Sequence, residues 1–123
     1  MKGLVLALLL LVPALAHAQD ATERGILDKP SETMMIASTL SSVAVEAPDG
    51  SAIGDVEDVV LSRDGRIVAL VVGVGGWLGL GERKVAIAYD RFEVKDTNEG
   101  IRLVCDIDRL VLDGAPTFQR RGQ

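Results

Sequence analysis

The fold of this chain is decided by residues 67–92, which read IVALVVGVGGWLGLGERKVAIAYDRF. The first eight of them, Ile67–Val74, contain no polar side chain, so a strand here needs both of its faces covered. Val and Ile dominate it, and β-branched residues favour a pleated strand over a helix. Glycines then interrupt regular structure before a second strand is expected at residues 84–89. The stretch therefore predicts two neighbouring strands joined by a glycine-rich loop.

Turn signals on either side divide the rest of the chain into short strands. Pro48-Asp49-Gly50 predicts a turn, because proline presets one backbone angle and glycine accepts a positive one. Asp64-Gly65 predicts a tight hairpin. A bulge is expected near Gly54-Asp55, where the alternation of apolar residues slips. The expected strands are residues 39–46, 52–62, 67–74, 84–89 with an extension through Phe92 and Val94, and 101–106.

A short helix is expected after the last strand. Asp108 is a residue type that caps helix N-termini, and Gly114 and Pro116 would end the helix after residues 109–113. Leu110 and Phe118 are then expected to seal one open end of a barrel. The predicted fold class is all-β, a small barrel of five to six short antiparallel strands with a short C-terminal helical turn.

The stretch also carries a resemblance. The run GVGGWLGLGERKVAIAYDRF resembles the signature of the PRC-barrel family, named for the cytoplasmic domain of the photosynthetic reaction-centre H subunit. In the family's order, Ala37–Leu40 resembles its opening strand, Asp49–Val60 its second-strand motif, and Ala115–Phe118 a closing segment common in secreted members. The resemblance covers Ala37–Phe118.

The chain also departs from the family pattern. Family members often have Gly near Ser42, Tyr near Ala44 and Pro near Ala88. The resemblance implies a PRC-type barrel, but not one fixed function, because this barrel serves as an adaptor in unrelated settings. Relatives contact membrane-protein complexes or, in the ribosome maturation factor, a ribosomal protein.

The N-terminus is predicted to be a signal peptide over residues 1–18. Lys2 supplies positive charge, Leu4–Val12 an apolar core and Ala16-His17-Ala18 a cleavage site, so cleavage is expected before Gln19. The apolar core is too short to span a bilayer, which needs roughly 20 residues, and this disfavours an uncleaved membrane anchor. The exported protein is expected to be periplasmic or secreted. Its expected parts are a flexible leader at 19–36, the barrel domain at 37–118 and a frayed tail at 119–123.

Residue usage argues against most enzyme chemistry. The only histidine is His17, inside the expected signal, and the only cysteine is Cys105. Histidine acid–base catalysis, Ser-His-Asp triads, Cys–His pairs and zinc ligation are therefore excluded from the exported part. Cys105 alternates with Leu103 and Ile101 on an apolar strand face, which favours a buried inert thiol over an intermolecular disulfide. Thirteen Lys and Arg, one of them Lys2, against eighteen Asp and Glu disfavour nucleic-acid binding.

The glycine-rich loop does not match a nucleotide-binding motif, and no cofactor is expected. Gly81 is followed by Glu82-Arg83-Lys84 instead of Lys and Ser or Thr, and Leu78 stands where a dinucleotide motif needs its third glycine. A carboxylate enzyme or a calcium site built on Asp55, Glu57 and Asp58 is conceivable. The EF-hand spacing is absent, however. A solvated strand face is favoured instead, with Asp49 and Asp64 serving turns.

The loop is the candidate partner-binding site, because bare apolar side chains stand where polar ones are usual. In one interpretation Trp77, Leu78 and Leu80 fold inward and plug the barrel. In the other, Trp77 stays exposed and anchors a partner beside a charged rim. Both hold if only Trp77 projects. The predicted partner-binding residues are Gly75, Gly76, Trp77, Leu78, Gly79, Leu80, Gly81, Glu82, Arg83 and Lys84.

The expected function is a non-enzymatic, exported protein-binding or assembly module in the cell envelope. Its expected partner is a protein, with a membrane-protein complex as one form. The alternative is a self-associating structural or stress-related envelope protein, a homodimer without a dedicated ligand. An enzyme using carboxylates alone ranks last.

Overall fold

The computed structural model describes residues 25–32, 34–75 and 81–122. The chain divides into two compact units, Met1–Met35 and Ile36–Gln123. In the described part of the first unit the backbone forms turns and bends, without helix or strand. The predicted signal peptide, residues 1–18, and the start of the predicted leader lie outside the described residues.

Within residues 36–75 and 81–122, the second unit contains six strands and one α-helix. The strands are β1 (Ala44–Glu46), β2 (Ala52–Leu61), β3 (Ile67–Val74), β4 (Arg83–Ala88), β5 (Phe92–Thr97) and β6 (Gly100–Cys105), and the helix is α1 (Arg109–Asp113). Single turns of 3-10 helix lie at Ala37–Leu40 and Tyr89–Arg91. These elements confirm the all-β class, the number of strands and the short C-terminal helix.

The strands form one sheet in the order β4-β3-β2-β1-β6-β5. Its neighbours are antiparallel except for β1 and β6, which run parallel, so the expectation of purely antiparallel strands needs this correction. The ladder does not close into a full barrel, because the two end strands β4 and β5 do not pair. Only Tyr89–Arg91 separates these end strands in sequence, so the sheet has to curl until the end of β4 lies near the start of β5. The parallel pairing of β1 with β6 follows from this connection. Strand β5 runs in the same direction as β4, and β6 is antiparallel to β5, so β6 runs in the same direction as β1.

Strand β3 is buried on both faces from Ala69 to Val74, as its apolar sequence predicts, whereas Val68 near its start is 50% exposed. On one face Leu70, Val72 and Val74 are at most 1% exposed and belong to the main core. On the other face Ala69 and Val71 are also buried. The core is completed by Leu40, Val43, Val45, Ile53, Val56, Val85, Ile87, Leu103, Cys105 and Leu112.

Strand β2 is irregular on both sides of Gly54, where the sequence predicts a bulge. Its register against β1 shifts next to Gly54, and its register against β3 shifts between Val56 and Asp58. Gly54 approaches β3 so closely that a Cβ atom there would overlap the carbonyl oxygen of Gly73. The position therefore needs glycine because another backbone occupies the space of a side chain.

The first predicted strand is shorter than expected, because its beginning is the 3-10 turn Ala37–Leu40. Between that turn and β1, Ser42 has a φ of 64° and is the one described non-glycine residue with positive φ. Its amide donates to the carbonyl oxygen of Val56 at 2.8 Å. This left-handed backbone, which favours glycine, prevents a continuous strand.

Helix α1 forms where the sequence predicts it but buries a different leucine. The Asp108 side chain caps it by accepting from the amide of Leu110 at 2.7 Å. Leu110 is nevertheless 80% exposed, whereas Leu112 is 1% exposed. The expectation that Leu110 seals the barrel is wrong, because residues two apart on a helix lie about 200° apart and only one of them can face the core. Phe118, the second expected seal, is half-buried.

We predict that Gly54→Ala lowers the free energy of unfolding by about 1–3 kcal/mol or more, since the new methyl group meets backbone that cannot move aside. Gly114→Ala is the matched control. Gly114 has a φ of −91°, and the nearest atom to a Cβ there is at 3.6 Å, so stability should stay within about 0.5 kcal/mol. Urea unfolding followed by circular dichroism measures both variants. Equal stabilities would contradict the close contact between β2 and β3.

Candidate functional site

The candidate site is the end of the β3–β4 hairpin where the glycine-rich loop leaves the sheet. The last pair of this ladder joins Val74 and Arg83. Gly75 and Gly81 have φ angles of 74° and 77°, which explains glycine at both positions. The carbonyl oxygen of Gly81 lies 4.0 Å from the place of a Cβ on Gly75. The loop therefore leaves the sheet and returns to it at neighbouring points.

Half of the predicted partner-binding residues lie outside the described residues; they are Gly76, Trp77, Leu78, Gly79 and Leu80. Both interpretations of Trp77, as plug and as exposed anchor, therefore stay predictions. The structure describes the other half, which are Gly75, Gly81, Glu82, Arg83 and Lys84. Each of the three charged residues in this half has a partner within the domain.

Arg83 connects the hairpin to the end of α1. Its Nη1 donates to the carbonyl oxygen of Ala115 at 2.7 Å, and its Nη2 donates to that of Leu112 at 3.0 Å and to that of Asp113. Carbonyl groups at a helix C-terminus lack partners inside the helix, so this guanidinium satisfies them. The three contacts hold α1 against the start of β4. The sequence contains no local signal for them, because about thirty residues separate the partners.

The segment that follows α1 lies along β4 and over the face of the sheet opposite the main core. The amide of Phe118 donates to the carbonyl oxygen of Lys84 at 2.7 Å. Further along, Arg120 Nη2 lies 2.6 Å from Asp58 Oδ2, although residues 119–123 are the predicted frayed tail. A groove of 220 Å³ lies between these elements, lined by Glu57, Asp58, Val71, Lys84, Phe118 and Arg120.

Glu57, Glu82 and Lys84 converge above Gly73 and are here called the ionic rim. Lys84 Nζ lies 2.7 Å from Glu57 Oε2. A Cβ atom on Gly73 would overlap carboxylate oxygens of both Glu57 and Glu82, so the convergence requires glycine beneath it. The two carboxyl groups lie side by side, because an oxygen of each is within 2.6 Å of the place that this Cβ would occupy. Strand β2 supplies Glu57 to this rim. Nothing in the local sequence connects Glu57 with the loop.

The ionic rim changes the proton affinities of its members. The pKa of Glu57 is lowered by its hydrogen bonds with Glu82 and then with Lys84. The pKa of Glu82 is raised by its hydrogen bond with Glu57 and by the charge of that carboxylate. The pKa of Lys84 is raised, first of all by its hydrogen bond with Glu57. Glu82 thus keeps its proton to a higher pH than an isolated glutamate does, and the rim offers charged groups of both signs to solvent.

Other side chains considered in the sequence have structural roles. Cys105 is 0% exposed, and burial raises the pKa of its thiol, which confirms its place on a buried strand face. Asp49 accepts from the amide of Ser51 at 2.9 Å, and Asp64 accepts from the Ser62 hydroxyl, so both carboxylates serve turns as predicted. Among residues 25–32, 34–75 and 81–122, no group of three or more His, Cys, Asp or Glu is arranged to hold a metal ion.

Fold and site together define a small all-β domain with a curled six-stranded sheet and a glycine-rich hairpin loop. The PRC-barrel domain model matches residues 32–112, which include every described strand, and the chain belongs to that family. No curated protein sequence is significantly similar to it. In the part of the chain that the structure describes, no helix is long and apolar enough to cross a membrane.

We predict that Glu82→Gln weakens the pH dependence of stability. The folded state raises the pKa of Glu82 above its ordinary value of 4.5, so the stability from its protonated form is full below that pH and is lost as pH rises through the raised pKa. A glutamine amide donates to Glu57 at every pH. Wild-type protein should therefore lose stability relative to Glu82→Gln as pH rises from about 4.5 through the raised pKa of Glu82.

Urea unfolding across this pH range, with Asp90→Asn in the exposed Tyr89–Arg91 turn as the control, measures the difference. The lowered pKa of Glu57 acts in the opposite sense, since its contribution is lost only as pH falls below 4.5. Parallel stability curves for wild type and Glu82→Gln would contradict the raised pKa of Glu82.

Proposed function

We propose that this chain is a non-enzymatic, exported PRC-barrel protein that acts as a protein-binding or assembly module in the cell envelope. The partner surface is the Gly75–Lys84 loop together with the ionic rim at its base. The observation that carries the proposal is their juxtaposition. A loop containing Trp77 leaves the sheet between two glycines with positive φ, directly beside ordered charges of both signs.

This arrangement has the anatomy of a protein–protein contact. Such contacts combine an apolar centre, often a Trp, with a polar rim that remains accessible to water. Lys84 is 60% exposed and Glu57 26% exposed, so both can bind a second protein while paired with each other. Arg83, by contrast, is held by carbonyl groups of its own chain and contributes to the shape of the surface.

The chemistry of the remaining side chains supports binding over catalysis. Cys105, the only thiol, has no exposed surface, and an inaccessible thiol with a raised pKa is a poor nucleophile. The only imidazole belongs to His17, inside the predicted signal peptide. Asp58 and Glu57, the carboxylates beside the groove, are engaged by Arg120 and Lys84.

We predict that Trp77→Ala abolishes partner capture without changing the thermal midpoint. Crosslinking followed by affinity purification from the envelope fraction, with mass spectrometry of the captured proteins, measures the first quantity. Thermal unfolding measures the second. Leu61→Ala is the matched control. Leu61 is 58% exposed and lies at the end of β2 that is far from the loop, so its truncation should leave capture intact.

Two results would contradict the proposal. One is undiminished capture by a folded Trp77→Ala protein, which would remove the loop from the partner surface. The other is a destabilisation of about 3–5 kcal/mol, which would make Trp77 a core side chain instead of an anchor.

A further inference from the structure

Strand β5 is a free edge of the sheet. Its one neighbour is β6, with pairs that run from Phe92 opposite Cys105 to Thr97 opposite Gly100. Apart from this ladder and the Phe92 amide, which donates to Tyr89, no turn, loop or cap hydrogen bond among the described residues reaches the β5 backbone. At the opposite end of the sheet, the edge of β4 already receives the amide of Phe118.

The turn at the end of β5 determines which backbone groups are free. Thr97 and Gly100 flank a two-residue turn, and such a flanking pair exchanges both of its hydrogen bonds. Pairing alternates along antiparallel strands, so Glu93 and Lys95 direct their backbone groups towards β6. The carbonyl groups of Phe92, Val94 and Asp96, and the amides of Val94 and Asp96, therefore point away from the sheet.

The side chains along this edge are complementary to themselves. If two β5 strands pair antiparallel with the twofold axis at Val94, Glu93 of each strand lies opposite Lys95 of the other. These pairs are of the non-hydrogen-bonded kind, in which side chains approach most closely. Val94 lies opposite its own copy, and about four backbone hydrogen bonds form from the free groups.

The neighbouring registers are disfavoured by charge. Pairing must match outward backbone groups with each other, so the axis moves in steps of one residue along the strand. With the axis at Glu93, two glutamates face each other, and with the axis at Lys95, two lysines do. Like charges directly opposite destabilise a strand pair. The axis at Val94 overlaps residues 92–96 of β5, and it places Glu93 and Lys95, the charged residues on the outer face, opposite charges of the other sign.

The other face of β5 gives a second, independent argument. Val94 lies opposite Leu103, and Phe92 lies opposite Cys105; both of these β6 side chains are 0% exposed. Val94 therefore stands on the core side of the sheet, yet it is 36% exposed. A second β5 strand would cover Val94 with an identical valine, while Asp96, which shares this face, would lie opposite Phe92 of the other copy.

We propose that β5 is the interface through which two copies of this chain pair, edge to edge, about a twofold axis at Val94. The interface uses a surface other than the Gly75–Lys84 loop, and it stands or falls independently of the proposed function. Exposed edge strands commonly carry charges that prevent association. Here, however, their order along the strand favours one partner, a second copy.

Charge reversal tests the register. Sedimentation velocity over a range of concentrations should show a reversible monomer–dimer equilibrium for the purified full chain. Glu93→Lys and Lys95→Glu should each weaken the dimer about tenfold or more, because each places two like-charged pairs across the axis. An equimolar mixture of these two variants should dimerise again, since every pair across a mixed interface is then Lys opposite Glu. Asp64→Lys and Arg63→Glu in the β2–β3 turn are controls with matched charge changes, and they should dimerise as wild type does.

Cysteine crosslinking locates the axis. Paired copies of residue 94 would have Cα atoms about 5.5 Å apart, within disulfide range, so Val94→Cys should crosslink to itself on oxidation. Asp96→Cys should not, because its two copies would lie roughly 13 Å apart. Monomers at every concentration, a dimer insensitive to both charge reversals, or crosslinking at 96 in place of 94 would overturn the proposal.

Discussion

A strand without polar side chains must be covered on both faces, and the covering of β3 organises this domain. One face is covered when the sheet curls and brings β1, β2, β4 and β6 around a common core. The other face is bordered by the segment after α1 and by the charged side chains of the groove, with Val71 beneath them. Because Arg83 binds the end of α1, the same hairpin that needs the cover also holds it in place.

Close approach of backbones is the second requirement, and it connects the fold to the candidate site. Gly54 lets β2 pass against the carbonyl oxygen of Gly73, and Gly73 leaves room for two carboxyl groups where a side chain of its own would stand. The ionic rim thus exists because β3 carries no side chain at that position. The glycines that shape the sheet also determine where charge collects beside the loop.

Much of the fold could be predicted from local sequence. The limits of β3, the cap at Asp108 and the turns at Asp49 and Asp64 follow from side-chain type and spacing, and the structure confirms them. The contacts of Arg83 and the parallel pairing of β1 with β6 could not, because they join segments far apart in sequence. Ser42 is an intermediate case. Its positive φ suits the glycine that family members often have nearby, but no local pattern in this sequence indicates that backbone angle.

The account rests on β3 as the most protected element of the domain. Native-state hydrogen exchange, followed residue by residue by nuclear magnetic resonance, tests this most directly. The account predicts that the amides of Leu70–Val74 exchange only through global unfolding, with the same free energy as the unfolding transition, while the outward amides of β5 exchange much faster at low protein concentration. Exchange of the β3 amides through local opening, at rates like those of β5, would contradict it.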